Sequence, residues 1–179
     1  MRLAFQIPDK IWWIHNFLTH EQYKRIHNTV HKERKKLRYQ SSFGVWQDDL
    51  SDNLKPIDRV TVDPLFFNFY QTLLHHNPIM PIPMGKATFV VHNMKKGSGI
   101  NWHDDGHCFY GVTYYLNRRW SSQWGGEFMF RDKTQCGYLP VVGNSLVIVK
   151  SPFEHKVNPI LSPIVPRVSI QSFIGVKKK

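Results

Sequence analysis

The stretch Gly99-Ile100-Asn101-Trp102-His103-Asp104-Asp105 sets a histidine and a carboxylate two residues apart, and His155 and Arg167-Val168-Ser169 follow it in order. On a β-strand, residues i and i+2 project from one face, so His103 and Asp105 can converge on a single point. Arg167 offers a planar fork of donors matched to a carboxylate and keeps its charge even when buried. Ser169, two residues on, faces the same side of a strand and can donate its hydroxyl to the same carboxylate.

Two histidines and one carboxylate on one side of an octahedral ion leave three positions open. This is the donor set of non-haem Fe(II) oxygenases, which use the open positions for a co-substrate and oxygen. A closed structural site leaves no such position. His-x-Asp alone is a common dipeptide spacing, and most of the ten histidines here read as ordinary surface or helix residues: His15, His20, His27, His31, His75 and His76. His103, Asp105 and His155 are set apart by the ordered elements around them.

Those elements are Gly97-x-x-Ile100-x-x-His103-x-Asp105, Tyr114-Tyr115-Leu116-Asn117, Trp124-Gly125-Gly126-Glu127, Gly143-Asn144-Ser145-Leu146, His155-x-Val157-x-Pro159 and Arg167-x-Ser169. Together they resemble the 2-oxoglutarate and Fe(II)-dependent dioxygenases, and within them the prolyl hydroxylase (prolyl 4-hydroxylase-like) branch. The resemblance spans roughly residues 86 to 176 and rests on ordered spacing, not on any single motif. It implies His103, Asp105 and His155 as catalytic iron ligands and Arg167 as the clamp on the distal carboxylate of 2-oxoglutarate. It also assigns Tyr115 to that carboxylate, with core packing as the alternative for this side chain.

Related hydroxylases carry a tyrosine upstream of His-x-Asp where this chain has Asn93 or Met94. Asn93 can donate a hydrogen bond toward the metal-side end of the co-substrate, and it is counted among the cofactor-binding residues; Met94 can only pack there. Ile100 stands where some collagen-type relatives have tyrosine.

The coarse pattern from residue 86 onward is strands: Lys86 to Asn93, Tyr110 to Leu116, Glu127 to Phe130, Ser145 to Val149 and Val168 to Ile174. Gly125-Gly126 and Gly143-Asn144 are turn pairs between them. Short strands of this kind, with ligands far apart in sequence, predict an α+β, mainly β protein: a double-stranded β-helix (jelly-roll, cupin-like) core braced by N-terminal helices. A single domain over residues 1–179 is expected, with helical support over roughly 1–80 and the β-helix over roughly 86–176. Thr19-His20-Glu21-Gln22 reads as a capping box opening a helix that carries Lys24, Arg25, Lys32, Arg34, Lys35, Lys36 and Arg38. A second helix is expected from Asp63 and Pro64 through Leu73 and Leu74, with Phe66, Phe67 and Phe69 in the core. The polar run from Gln40 to Asn53 is either a mobile recognition loop or a plain connection anchored by Trp46. Trp102 either shields the site or turns into the core.

The chain has 24 Lys and Arg against 13 Asp and Glu, a formal net charge of +11. No DNA- or RNA-reading motif accompanies that charge, so nucleic acid is the less favoured partner. Attraction to an acidic or ribosome-associated protein is the functional reading that survives. The start of the chain lacks the apolar core of a secretory signal, and no apolar run reaches membrane-spanning length. A soluble, cytoplasmic protein is therefore expected. Cys108 and Cys136 read as free thiols of a reducing compartment, which also suits Fe(II).

The resemblance implies Fe(II), 2-oxoglutarate and O2 as cofactors and co-substrates, with ascorbate as a candidate reductant. It implies hydroxylation of a substrate C–H bond, foremost a prolyl residue in a protein, with 2-oxoglutarate converted to succinate and CO2. The alternatives are oxidation of a free amino acid, another small molecule or a nucleic-acid base, or a non-catalytic β-helix binding module.

Overall fold

Alternation along one strand organises the molecule. In a computed structural model of the chain, which describes residues 1–33, 40–42, 57–62, 72, 74–83 and 86–175, strand β12 (Arg167–Ile174) sends its side chains to opposite faces. Ile170 and Ile174 join one hydrophobic cluster, while Arg167, Ser169, Gln171 and Phe173 face the other way. The same division runs through the strands beside it. In β7 (Tyr110–Tyr115), Val112 and Tyr114 face the first cluster and Tyr115 faces the second; in β10 (Leu146–Lys150), Leu146 and Ile148 face the first, Val147 and Val149 the second.

The remaining elements are β1 (Arg2–Ile7), β2 (Ile11–His15), α1 (His20–Glu33), β3 (Gln40–Ser42), β4 (Ile57–Val62), β5 (Ala87–Met94), β6 (Ile100–His103), β8 (Phe128–Arg131), β9 (Cys136–Leu139) and β11 (His155–Val157). They form two antiparallel sheets. The major sheet runs β1-β2-β10-β7-β12-β5-β4-β3 and the minor sheet β6-β11-β8-β9. One face of the major sheet carries α1; the other faces the minor sheet across a core of Ile11, Tyr115, Phe128, Phe130 and Val147. This is the double-stranded β-helix expected from the turn-punctuated strands.

The helix is set by its sequence. The Thr19 amide donates to Gln22 Oε1 at 2.9 Å and the Gln22 amide donates to Thr19 Oγ1 at 3.3 Å, the reciprocal bonds of a capping box. Tyr23, Ile26 and Val30 recur on one face and are buried against the sheet; each contributes roughly 2 kcal/mol by leaving water. The Tyr23 hydroxyl donates to the Leu116 carbonyl at 2.9 Å, tying helix to sheet.

The N-terminal part departs from the expectation of helical support alone. Residues 2–15 form a hairpin that extends the major sheet, with Asp9 at φ 56° in its turn, and β3 and β4 extend the sheet's other edge. The cause is local: Leu3, Phe5 and Ile7 alternate, a Pro8-Asp9 turn follows, and Ile11 to Ile14 supply a strand with both faces covered. Thr72, Leu74 and His75 are helical and Leu74 is buried, but the rest of the second expected helix, Trp46 with most of its loop, and residues 34–39 lie outside the described residues. Among the described residues, no helix is long and apolar enough to cross a membrane. Cys108 is buried and Cys136 exposed, and they are not joined in a disulfide.

Candidate metal and carboxylate site

His103 and His155 meet where the outermost strand of the minor sheet pairs with its neighbour. They are direct register partners of β6 and β11, with ring centroids 4.2 Å apart. Each ring places Nδ1 2.7 Å from the carbonyl two residues before it, Asn101 for His103 and Phe153 for His155. A carbonyl only accepts, so Nδ1 carries the proton and Nε2 presents a lone pair. This is how a ligand imidazole is oriented and its tautomer fixed. The Phe128 ring stacks on His155 at 5.0 Å and 20°, holding it from the other side.

Asp105 joins the pair by a different route from the one expected. Strand β6 ends at His103, and Asp105 lies beyond it at φ 51°, in the left-handed region that Asp tolerates better than most residues. Strand alternation therefore does not aim the carboxylate; a turn does. The Asp105 carbonyl accepts from the Ser151 hydroxyl at 3.0 Å and the Cys108 amide at 3.0 Å, which fixes that turn. Asp105 Oδ2 lies 3.4 Å from His155 Nε2, and Oδ1 lies 3.7 Å from His103 Nε2.

Three lone-pair-bearing atoms thus converge within 4.8 Å of one another. Burial, followed by the closeness of the His155 ring, lowers the His103 pKa to about 4, so this ring is neutral at pH 7. Burial works against the Asp105 charge, but the His155, His103 and His107 imidazoles outweigh it and hold the carboxyl below its ordinary range. Neutral acceptor nitrogens facing a buried carboxylate repel one another unless a cation lies between them. The donor set of two imidazoles and one carboxylate fits Fe(II).

Gly111 on β7 makes room for this arrangement. A Cβ there would stand 2.5 Å from Asp105 Oδ2. Gly111→Ala is therefore expected to push the carboxylate aside and weaken Fe(II) binding on the order of 10–100-fold, with little change in melting temperature, as read by metal titration beside thermal unfolding.

Farther along the same inter-sheet space, Arg167 is 1% exposed. Its Nη1 approaches Met94 Sδ at 2.9 Å, its guanidinium lies 4.8 Å from the Tyr115 ring centroid, and Nε and Nη2 have no hydrogen-bond acceptor among the described residues. The Tyr115 hydroxyl and Ser169 Oγ are likewise buried without partners. A buried guanidinium with two orphaned donor nitrogens costs several kcal/mol, and a carboxylate is the kind of group whose acceptor oxygens would offset that cost. Two of the motifs quoted from the sequence shape the surroundings of Arg167. Asn117 grips the backbone on both sides of Arg167, accepting from the Val168 amide at 2.7 Å and donating to the Pro166 carbonyl at 2.9 Å. Gly126, at φ 78°, leaves the space a Cβ would take within 3.0 Å of Arg167 Cδ.

Asn93 is not brought to this site. It pairs with Val168 across β5 and β12 and shares the face of Val91 and Phe89 that packs toward the helix. Alternation instead turns Met94 and His92 toward the site. Trp102 follows neither of its two expectations: it lies on the outer face of the minor sheet, with the Arg131 guanidinium 4.1 Å and Lys156 Nζ 5.4 Å from its ring. The sequence reading missed His92, Thr113 and Gln171, which line the cavity with the three ligand candidates. Thr113 donates to Gln171 Oε1 at 2.6 Å. Extending Arg167-x-Ser169 by one more alternation finds Gln171, and stepping back two from Tyr115 finds Thr113.

Burial, followed by the charges of Arg167 and Arg59, lowers the His92 pKa to about 3. Between the unfolded histidine value of 6.5 and the folded values of about 3 and 4, the unfolded chain binds protons at His92 and His103 that the folded protein does not. Stability is thus full above pH 6.5 and lost as pH falls. The melting temperature of metal-free protein is expected to drop steadily from pH 7 to about 4.5, with a shallower slope for His92→Gln; identical slopes contradict the assignment.

Taken together, the barrel and this pair of sites define a non-haem metal enzyme of the double-stranded β-helix class. Residues 89–175 match the model of the 2OG-Fe(II) oxygenase superfamily, and this part of the chain is a 2-oxoglutarate-dependent dioxygenase domain that works with Fe(II), 2-oxoglutarate and O2. No curated protein sequence matches the chain at a significant level. Among solved structures, a Pseudomonas putida prolyl-4-hydroxylase is similar at TM-score 0.72 and 13% identity, over 94% of each chain. A Trichoplax adhaerens prolyl hydroxylase in complex with a hypoxia inducible factor oxygen degradation domain peptide fragment is similar at TM-score 0.69 and 16% identity, over 94% of this chain and 84% of that one. The non-heme alpha ketoglutarate dependent epimerase of nogalamycin biosynthesis is similar at TM-score 0.65 and 10% identity, over 93% and 78%. At these identities the likenesses speak to the fold.

Proposed function

We propose that this protein hydroxylates a C–H bond of a prolyl residue in a protein or peptide, converting 2-oxoglutarate to succinate and CO2. The observation that carries the reading is the convergence of His103, Asp105 and His155 acceptor atoms beside a buried Arg167 with unpartnered donors. In this reading His103, Asp105 and His155 hold Fe(II), and Arg167, with Ser169 and Tyr115, binds the distal carboxylate of 2-oxoglutarate. Iron with 2-oxoglutarate and O2 supplies the oxidising chemistry when bound. The protein's own part is orientation and exclusion. The carbonyls of Asn101 and Phe153 keep both imidazoles aimed, Asn117 fixes the backbone around Arg167, and Phe128, Ile100 and Val157 line the cavity with apolar surface. Apolar walls keep water from competing for the reactive position.

A protein or peptide substrate is supported by the likeness to prolyl hydroxylases, one of them complexed with a peptide. The excess of 24 basic over 13 acidic residues supports an acidic character in that partner. Residues 1–179 are read as one domain, because the described N-terminal strands hydrogen-bond into the major sheet. The test is succinate formation in the presence of proline-containing peptides, the same peptides with alanine for proline, free amino acids and oligonucleotides. Stimulation by the proline peptides alone is expected. Stimulation only by a free amino acid or a nucleic acid would assign the oxidation to that substrate instead.

A further inference from the structure

On the face of the major sheet covered by α1, opposite the face that carries Arg167, a groove of about 700 Å³ runs between the helix and the segments around Arg118 and Pro166. His27, His31, Arg118 and Arg119 line it, and among the described residues no carboxylate does. Both arginines are exposed, and among the described residues neither has an ion pair or hydrogen-bond partner. The His27 and His31 rings lie parallel at 6.1 Å, and burial, with the Arg118 charge, lowers the His27 pKa, so the positive charge of the groove rests on the adjacent Arg118 and Arg119. Like charges held together without a counter-charge repel, and an acidic ligand relieves that repulsion.

A second observation lies at the groove's edge. Among the described residues, seven large hydrophobics are exposed, and three of them fall in one five-residue loop: Leu161 at 58%, Ile164 at 82% and Val165 at 36%. Val165 lines the groove, and the Leu161 amide donates to the carbonyl of Trp124, another lining residue. Exposed apolar side chains clustered beside polar ones mark a contact surface. These three are aliphatic, and aliphatic side chains pack against other apolar side chains. They suit the leucine or valine side chains of a peptide.

We propose that this groove and the 161–165 loop dock an acidic, aliphatic-rich peptide segment of a partner protein, with Arg118 and Arg119 meeting its carboxylates and Leu161, Ile164 and Val165 its apolar side chains. The inference rests on the reading of a protein substrate, whose docking segment this would be, remote from the residue that reacts. The loop runs directly into Arg167, so a docked segment sits next to the strand that carries the carboxylate clamp.

The experiment uses the full chain and a fluorescein-labelled peptide of alternating Glu and Leu, which contains no proline, in anisotropy titrations at two salt concentrations. Saturable binding that weakens with salt is expected. Arg118→Glu with Arg119→Glu should weaken it by about tenfold or more, and Leu161→Ser with Ile164→Ser should do the same by about tenfold. Lys133→Glu, on the loop between β8 and β9, should leave it unchanged. Affinity indifferent to either pair, or an oligouridylate that binds more tightly than the peptide and displaces it, overturns the proposal. His103→Ala should bind the peptide as the unaltered protein does, so failure of docking and failure of prolyl hydroxylation are read separately.

Discussion

Replacing His103 with alanine is expected to abolish Fe(II)-dependent turnover, by roughly a thousand-fold or more, equivalent to about 4 kcal/mol of lost transition-state stabilisation. The size follows from geometry. His103 is one of three converging donors, its Nδ1 is committed to the Asn101 carbonyl, and its Nε2 faces Asp105 Oδ1 at 3.7 Å. With one ring gone, two donors cannot hold a divalent ion against water, and Asp105 keeps a buried charge with one ligand imidazole fewer beside it. Fe(II) binding by equilibrium dialysis should fall together with activity. Iron retained at full affinity in the variant would remove His103 from the site.

The second large effect is at Arg167. Its truncation to alanine should raise the 2-oxoglutarate requirement by about 100-fold or more, since losing one partner of a buried charge pair costs about 2–5 kcal/mol. Iron affinity should barely change. A second readout separates a binding role from a structural one. Because Arg167 is buried with Nε and Nη2 unpartnered, its charge is a burden on the ligand-free fold. Arg167→Met is therefore expected to raise the melting temperature of ligand-free protein. In the unaltered protein, 2-oxoglutarate at a hundred times its dissociation constant should add about 2.7 kcal/mol of stability, and the Met variant should show no such gain. An unchanged 2-oxoglutarate requirement would take Arg167 out of the clamp.

The legible parts of the chain were those where local pattern and tertiary role coincide. Strands β5, β7, β8, β10 and β12 lie within a residue or so of their expected bounds, because alternation and turn glycines act within each segment. The Thr19-x-x-Gln22 box reads directly as a helix start, since both of its bonds are made inside four residues. Asp105 shows the limit of such reading. Its spacing from His103 pointed to the right pair, but the convergence comes from a left-handed turn held by Ser151, which is distant in sequence. Asn93 shows a second limit. One residue of register along β5 exchanges Asn93 for His92 or Met94, and register is set by pairing with β12, which the sequence of β5 alone does not contain. The hairpin of residues 2–15 escaped because Ile11-Trp12-Trp13-Ile14 is apolar on both faces, a pattern without alternation until the helix on one side and the core on the other are known.

The central claim is that the His103, Asp105 and His155 cluster and the Arg167 receptor act together as one oxidising site. It is tested most directly by following 2-oxoglutarate, O2 and succinate in one reaction with Fe(II) present and absent. Consumption of O2 and 2-oxoglutarate in equal amounts, with succinate formed to match and all three stopped by omitting Fe(II), is the predicted result. Binding of 2-oxoglutarate with no succinate formed under any supply of iron and oxygen would contradict it and leave a β-helix that binds without catalysing.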